Sequence, residues 1–246
     1  MRLDVYLFEK RLCESRKKAQ DLIKTGNVFV ENKCVRKPAY DVSEGISVEI
    51  KGEICRYVGR GGLKLEGAIK AFSLDFEGKV CADIGSSTGG FTDCMLQNGA
   101  RKVYAVDSGK DQLHKNLRCD ERVVVMEGVN ARYLEKTDFD PCDIVTMDVS
   151  FISQTLLYGS VCSILKDGGL FVSLVKPQFE AGRTLVGKNG IVKDEKTRMS
   201  VIENIIENAK MFGLENISVV DSPILGGDGN KEYLALFSFN KQRSDL

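Results

Sequence analysis

The sequence predicts an α/β protein: a doubly wound, mostly parallel sheet with one antiparallel edge strand, preceded by a small α+β module. Three observations predict this. From Leu63 onward, short apolar runs alternate with amphipathic stretches, as in successive βα units. The first run, Val80–Ile84, passes through a glycine- and serine-rich turn, Gly85–Gly90, into an amphipathic stretch, Phe91–Gln97. Residues 1–60 have a different pattern and hold 13 Lys+Arg against 9 Asp+Glu, whereas the remainder holds 22 against 26. A basic module attached to an acidic body points to a binding unit in front of a catalytic one.

In the module, Leu3, Leu7 and Leu12 punctuate a first short helix. A second is predicted over Ser15–Thr25, with Ser15 as N-cap, Lys18, Ala19, Leu22 and Ile23 setting the phase, and Gly26 closing it. Val28–Glu31 and Val35–Lys37 are predicted as a hairpin around Asn32 and Lys33, and Ile46–Ile50 alternates like a further strand. Cys55–Gly62 (CRYVGRGG) has three glycines and two arginines in eight residues and reads as a flexible basic linker. The expected domains are therefore 1–54 and 63–246, joined by 55–62.

In the body, a helix over Leu63–Phe72 precedes strands near Val80–Ile84, Lys102–Val106, Val123–Met126, Asp143–Met147 and Leu170–Val175. Helical patterns at Phe91–Gln97, Ser153–Leu165 and Glu195–Phe212 separate most of the elements. Ile217–Asp221 and Tyr233–Phe239 are the last strands, joined by the glycine-rich turn Gly226–Lys231. Alternation of β and α implies parallel pairing, and the short final connection implies the antiparallel edge.

The turn Gly85–Gly90 carries the first chemical signal. Gly85, Gly89 and Gly90 let the backbone turn sharply and approach a ligand, and the following helix aims free N–H groups at the same place. A phosphate-binding P-loop needs GxxxxGK and a dinucleotide loop needs GxGxxG; neither is present. What stands is Asp83-x-Gly85-x-x-x-Gly89, with Asp107 ending the next strand where a carboxylate can accept from a ribose diol. Ser86, Ser87, Gly90 and Phe91 complete the expected cofactor contacts, and Asp83 is placed to orient the loop or bind an ammonium group. The pattern resembles the cofactor loop of S-adenosylmethionine-dependent methyltransferases.

Other classes recede. Eight cysteines are scattered singly, with no CxxC pair and no histidine cluster, so no metal site is expected. The N-terminus is charged where a signal peptide is apolar, and no apolar run reaches the roughly 18–20 residues of a membrane span. A cytoplasmic location, with Cys81 and Cys142 as buried free thiols, is the expectation. The single histidine, His114, falls on an expected surface helix, so a histidine base is not expected.

Charged residues at the carboxyl edge of the sheet are the catalytic candidates. Asp148 ends the fourth strand, and Lys176 ends the fifth, ahead of Pro177, which confines it to extended geometry. Glu232 starts the last strand, and Lys64 opens the helix before the sheet. The set Lys64, Asp148, Lys176, Glu232 resembles the Lys-Asp-Lys-Glu tetrad of FtsJ-like ribose 2′-O-methyltransferases. Arg16-Lys17-Lys18 followed by GNVFVENK resembles an S4-type RNA-binding domain. With RYVGRGG, DIGSSTGGFTD and VKPQFE, the whole chain resembles the TlyA family, once called haemolysins. The resemblance implies a Rossmann-like methyltransferase sheet, S-adenosylmethionine as cofactor, and 2′-O-methylation of cytidine in ribosomal RNA within ribosomal subunits. It implies Lys176 as base or orienting group, positioned by Asp148 and Glu232, with Lys64 steering the substrate and tuning Lys176. Lys33, Arg56 and Arg60 join Arg16, Lys17 and Lys18 as expected RNA contacts. The tip after the third strand is Gly128-Val129-Asn130 in place of the usual acid, with Asn130 as an adenine contact. The alternatives are methylation of an RNA base, a non-catalytic RNA-binding or ribosome assembly protein, and, last, a membrane-active haemolysin; the oligomeric state is not legible.

Overall fold

The computed structural model describes every residue except 14, 25, 44, 52–55, 188–189, 228 and 244–246. The expected ends of the second helix at Thr25 and of the linker at Cys55 lie outside the described residues. The chain divides into two compact units, Met1–Arg56 and Tyr57–Leu246.

The first unit holds helices α1 (Leu3–Glu9) and α2 (Arg16–Lys24) and strands β1 (Val28–Val30), β2 (Lys33–Cys34) and β3 (Val48–Ile50), in sheet order β2-β1-β3. Leu3, Leu7, Ala19, Leu22, Ile23, Val28 and Val30 form its core. Ser15 caps α2 by accepting from Lys18 N at 3.1 Å. Two details depart from expectation. Arg11 adopts a left-handed φ of 56° just after α1, so Leu12 leaves the helix and is exposed. The hairpin turns on Glu31 and Asn32, both at positive φ (47° and 62°), which pairs Val30 with Lys33 and starts the second strand two residues early.

Asp4 organises this unit. It is fully buried, and its carboxylate accepts from Arg2 (2.9 and 3.1 Å), Arg16 (3.3 Å) and Gln20 (2.8 Å). The Arg2 hydrogen bonds hold the carboxyl well below the usual carboxylate range, outweighing its burial.

The second unit is a seven-stranded sheet in the order β6-β5-β4-β7-β8-β10-β9. In chain order its elements are α3 (Gly61–Phe72), β4 (Val80–Ile84), α4 (Gly90–Gln97), β5 (Lys102–Asp107), α5 (Lys115–Arg118), β6 (Val123–Glu127), β7 (Cys142–Met147), α6 (Tyr158–Ile164), β8 (Leu165–Val175), α7 (Pro177–Glu180), α8 (Glu195–Lys210), β9 (Leu214–Asp221) and β10 (Tyr233–Phe239). β4, β5, β6, β7 and β8 pair in parallel, and β4 is buried along its whole length, as a strand covered on both faces must be. The antiparallel strand is β10, and it lies one place in from the edge, between β8 and β9. Cys81 and Cys142 are fully buried free thiols, and burial pushes the Cys142 thiol up to about 12.

The stretch expected as a flexible linker is built into this unit from Tyr57 onward. Tyr57 is buried, Val58 N donates to Asp93 Oδ2 at 2.7 Å, and Gly61 and Gly62 form the first turn of α3, two residues before the expected start. The physical reason is close packing. A Cβ on Gly62 would lie 2.3 Å from the Tyr57 ring, and one on Gly90 would lie 2.9 Å from Gly62 N. These glycines admit neighbouring backbone and ring atoms.

Replacing Asp4 by Ala leaves Arg2, Arg16 and Gln20 without their shared acceptor and is expected to destabilise the first unit by about 3 kcal/mol. Residue-resolved amide hydrogen exchange checks this: protection should fall across α1, α2 and β1 and stay unchanged in β4 and β7.

Candidate active site

The site is assembled at the carboxyl ends of β4, β5, β7 and β8. After Ile84 the chain turns at Gly85 (φ 84°) and Gly89 (φ 95°) into α4. Neither turn has room for a side chain. A Cβ on Gly85 would lie 2.5 Å from the Asp148 carbonyl oxygen, and one on Gly89 would lie 2.2 Å from Leu117 Cδ1. The result is a cleft of about 200 Å³ whose lining includes Gly61, Asp83, Ser86, Phe91, Asp148 and Lys176.

Asp83 is fully buried, and its Oδ2 accepts from Thr92 N (2.9 Å) and Thr92 Oγ1 (2.7 Å). Burial pushes its carboxyl up to about 7 against those hydrogen bonds, and nearby Asp148 adds to the rise. Asp107 accepts from Ser87 N at 2.8 Å and from Gly109 N at 2.7 Å, so it joins the glycine turn to the loop after β5. Ser86 Oγ is buried without a hydrogen-bond partner among the described residues. An orphaned hydroxyl, a cradle that any side chain would fill and a carboxylate beyond it fit a nucleoside-type cofactor.

The four charged residues stand as two pairs. Lys64 Nζ donates to Glu232 Oε2 at 2.6 Å, with both side chains buried. Lys176 Nζ is ion-paired with Asp148 Oδ1, donates to Ser150 Oγ at 2.9 Å, and lies 5.9 Å from the centre of the Phe179 ring. Glu232 thus pairs with Lys64 rather than with Lys176. Tyr233 pairs with Val175 across the β10–β8 ladder, so Glu232 and Lys176 are the next residues on each side. Asp148 N donates to Ile84 O at 2.9 Å, which holds the end of β7 against the glycine turn.

Asn130 uses its side-chain oxygen locally. Its Oδ1 accepts from Arg132 N at 3.1 Å and caps the 3-10 turn Ala131–Tyr133. The acid missing from that tip stands three residues earlier, as Glu127 at the end of β6. Its carboxylate accepts from three successive backbone groups, Asp111 N (2.7 Å), Gln112 N (2.8 Å) and Leu113 N (2.8 Å), and from the Arg118 guanidinium. Burial works against its charge, but these donors hold the carboxyl down at about 2. Glu127 therefore shapes the loop after β5 beside the cleft. His114 belongs to the same loop: it caps α5, and its backbone N–H donates to Thr88 O at 3.1 Å.

Of the residues expected to meet RNA, Lys17 and Lys33 are exposed, Lys18 is half-buried, and Arg16 turns one guanidinium nitrogen onto Asp4. Arg56 is exposed at the end of the first unit, and Arg60 is the half-buried residue preceding α3.

The S4 domain family matches residues 1–46, and the FtsJ-like methyltransferase family matches residues 57–239. YqxC of Bacillus subtilis, named a candidate rRNA methyltransferase, is 48% identical over 235 residues, covering 95% of this chain and 84% of YqxC. TlyA of Mycobacterium tuberculosis, named a 16S/23S rRNA (cytidine-2′-O)-methyltransferase, is 38% identical over 234 residues, covering 94% of this chain and 87% of that protein. The chain belongs to the TlyA family. It is thus an S-adenosylmethionine-dependent methyltransferase carrying an S4 domain. A solved structure from Streptococcus thermophilus, named a candidate hemolysin, superposes with a TM-score of 0.79 at 44% identity, over 98% of this chain and 88% of its own. Among the described residues of this family member, no helix is long and apolar enough to cross a membrane.

Glu127→Gln keeps the shape of the side chain and removes its charge. Because the folded carboxyl titrates near 2 and an unfolded one near 4.5, the stabilisation is present above pH 4.5 and is lost as pH falls toward 2. Urea unfolding should show the variant about 1–2 kcal/mol less stable at pH 7, with the difference shrinking between pH 4.5 and 2.

Proposed function

We propose that this chain is a ribosomal RNA 2′-O-methyltransferase acting on cytidine, with Lys64, Asp148, Lys176 and Glu232 as its catalytic set. The observation that carries the reading is the Lys176–Asp148 pair on the rim of the cleft built by the glycine turn. The M. tuberculosis relative's name supports cytidine and both ribosomal RNAs as the substrate class.

When bound, S-adenosylmethionine supplies an electrophilic methyl group on a sulfonium. Asp107 would meet its ribose hydroxyls, and Gly85, Ser86, Ser87, Gly89, Gly90 and Phe91 would form its cradle. Asp83 is the counter-charge for an ammonium group at the buried end of the cleft, and Asp148 lies at the same wall. Asn130 contributes to the adenine side through the turn it caps.

A ribose hydroxyl is a weak nucleophile, so the chain must hold it and take its proton. An ammonium has three donors. Lys176 is ion-paired with Asp148 and donates to Ser150, which leaves a donor for the ribose 2′-oxygen. In its amine form the same nitrogen accepts the hydroxyl proton and is then paired by Asp148. Alignment alone is worth several kcal/mol in reactions of this kind. Lys64, fixed by Glu232, adds a second positive group at the same sheet edge, where it steers the phosphate-flanked ribose. Phe151, 92% exposed on the loop after Asp148, offers a ring face to an unstacked base.

Arg16, Lys17, Lys18 and Lys33 in residues 1–54, with Arg56 and Arg60 beyond them, contact backbone phosphates of the folded RNA in this reading. Ribosomal subunits are then the partner, and the cytoplasm is where the protein works.

The test uses labelled S-adenosylmethionine, the purified protein and separated ribosomal subunits from a strain lacking it. Nucleoside mass spectrometry should show 2′-O-methylcytidine; a methylated base would replace this reading with base methylation. Lys176→Ala should bind cofactor and RNA as the parent does while its methylation rate falls by about 100-fold or more. A parent-like rate in that variant would sink the role given to Lys176.

A further inference from the structure

VKPQFE ends in a residue that the chemistry above does not use. Glu180 closes α7, four residues after Lys176, and its half-buried carboxylate reaches back to the segment that follows Asp148. Oε2 accepts from Ser153 Oγ at 2.6 Å, and Oε1 accepts from Gln154 N at 2.9 Å. Gln154 is itself buried, and its side-chain oxygen accepts from Ser173 Oγ on β8. Burial raises the Glu180 carboxyl above its usual value, partly offset by these hydrogen bonds, as expected of a group held in place by its partners.

The segment between Asp148 and Gln154 is therefore fixed at both ends. At its start, Asp148 N is bonded to Ile84 O and the side chain is paired with Lys176. At its end stand the two bonds to Glu180. Between them, Ser150 faces Lys176, and Phe151 takes a left-handed φ of 65°. An aromatic residue adopts that conformation only where its surroundings over-determine it. The Phe151 ring lies 5.1 Å from the Phe179 ring on the same short helix as Glu180. The helix that follows opens on a 3-10 turn, Gln154–Leu157, where the sequence predicts α-helix, and Glu180 takes up the orphan N–H of its first residue, Gln154.

We propose that Glu180 is a positioning residue for methyl transfer: its carboxylate clamps the 148–154 loop to the Lys176 turn and so fixes Ser150 and Phe151 for the incoming nucleotide. This rests on the function proposed above. Without the clamp the loop relaxes out of its strained form, Lys176 loses its Ser150 partner, and RNA is engaged less productively. Asp148, Ser150 and Lys176 line one side of the cofactor cleft, but Asp83, the glycine turn, Phe91 and Gly61 lie outside the clamped loop and keep the cofactor's main contacts.

The experiment uses the full chain. Glu180→Ala should lower kcat/KM for ribosomal RNA by about 30-fold while the dissociation constant for S-adenosylmethionine stays within about twofold. Glu180→Gln should stay within about threefold of the parent, since its carbonyl still accepts from Gln154 N and its amide can donate to the Ser153 hydroxyl. The chain has no tryptophan, so Phe151→Trp puts a single tryptophan in the loop, excited on the red edge of its absorption apart from the tyrosines. Its anisotropy should fall when Glu180→Ala is added and hold when Glu180→Gln is added. If Glu180→Ala does not fold, Ser153→Ala removes one of the two bonds from the other side and should lower kcat/KM in the same direction with cofactor affinity intact. Parent-like RNA kinetics in Glu180→Ala or Ser153→Ala would overturn the proposal. So would loss of activity with unchanged anisotropy, or a parallel loss of cofactor affinity. A parent protein that methylates no RNA would refute the proposed function instead, and the anisotropy comparison would still decide whether Glu180 orders the loop.

Discussion

Backbone-to-backbone contact at the carboxyl edge of the sheet is the constraint on which the rest depends. Gly85 presses against the Asp148 carbonyl, Gly90 against the amide of Gly62, and Gly62 against the Tyr57 ring. These contacts stack the glycine turn, the end of β7, the start of α3 and the segment before it with little but the Tyr57 ring between their backbones. Polar groups at such a junction have little access to water, so each must find a partner within the protein. Asp83 finds Thr92, Asp107 finds two loop amides, and Asp148 finds Lys176. Ser86 Oγ has none among the described residues, and Ser86 lines the cleft.

The charges follow from the same closeness. Two cations brought to one sheet edge repel each other; each is held by a carboxylate, Lys64 by Glu232 and Lys176 by Asp148. Each pair is neutral overall, which lowers the cost of partial burial. Pairing also fixes the long lysine side chains, which otherwise lose much rotamer freedom on binding a substrate. Under the proposed function, the site meets a neutral hydroxyl with donors already oriented rather than with a field of free charge.

Much of this could be read in the sequence, for a physical reason. Strand ends in an α/β sheet converge, so Asp83, Asp107, Asp148 and Lys176 could be placed from strand assignment alone. What could not be read depends on contacts distant in sequence. Gly59, Gly61 and Gly62 look like a hinge, because glycine that permits close packing and glycine that permits motion are the same residue. Glu127 looks like an ordinary strand terminus until the loop after β5 folds back and presents three amides to it. Arg16 looks free to meet phosphate, but a buried acid twelve residues earlier claims part of its guanidinium. Asn130 lies at the expected tip, and its side-chain oxygen also makes a local cap, a use open to any asparagine before a turn.

The position of Glu232 shows how topology, more than local sequence, completes the set. β10 runs antiparallel to β8, and its first residue, Tyr233, pairs with the last residue of β8, Val175. That register puts Glu232 beside Lys176 and within reach of Lys64. Were β10 parallel to β8, its start would lie at the opposite end of a seven-residue strand, roughly 20 Å away. The short connection after β9 forces the reversal, and insertion of β10 between β8 and β9 brings its start next to the other strand ends. A strand added in parallel at the outer edge would have kept the cleft and the Lys176–Asp148 pair but left Lys64 buried without its acid. The reversal of that one strand is therefore what allows a second lysine to be held at this edge of the sheet.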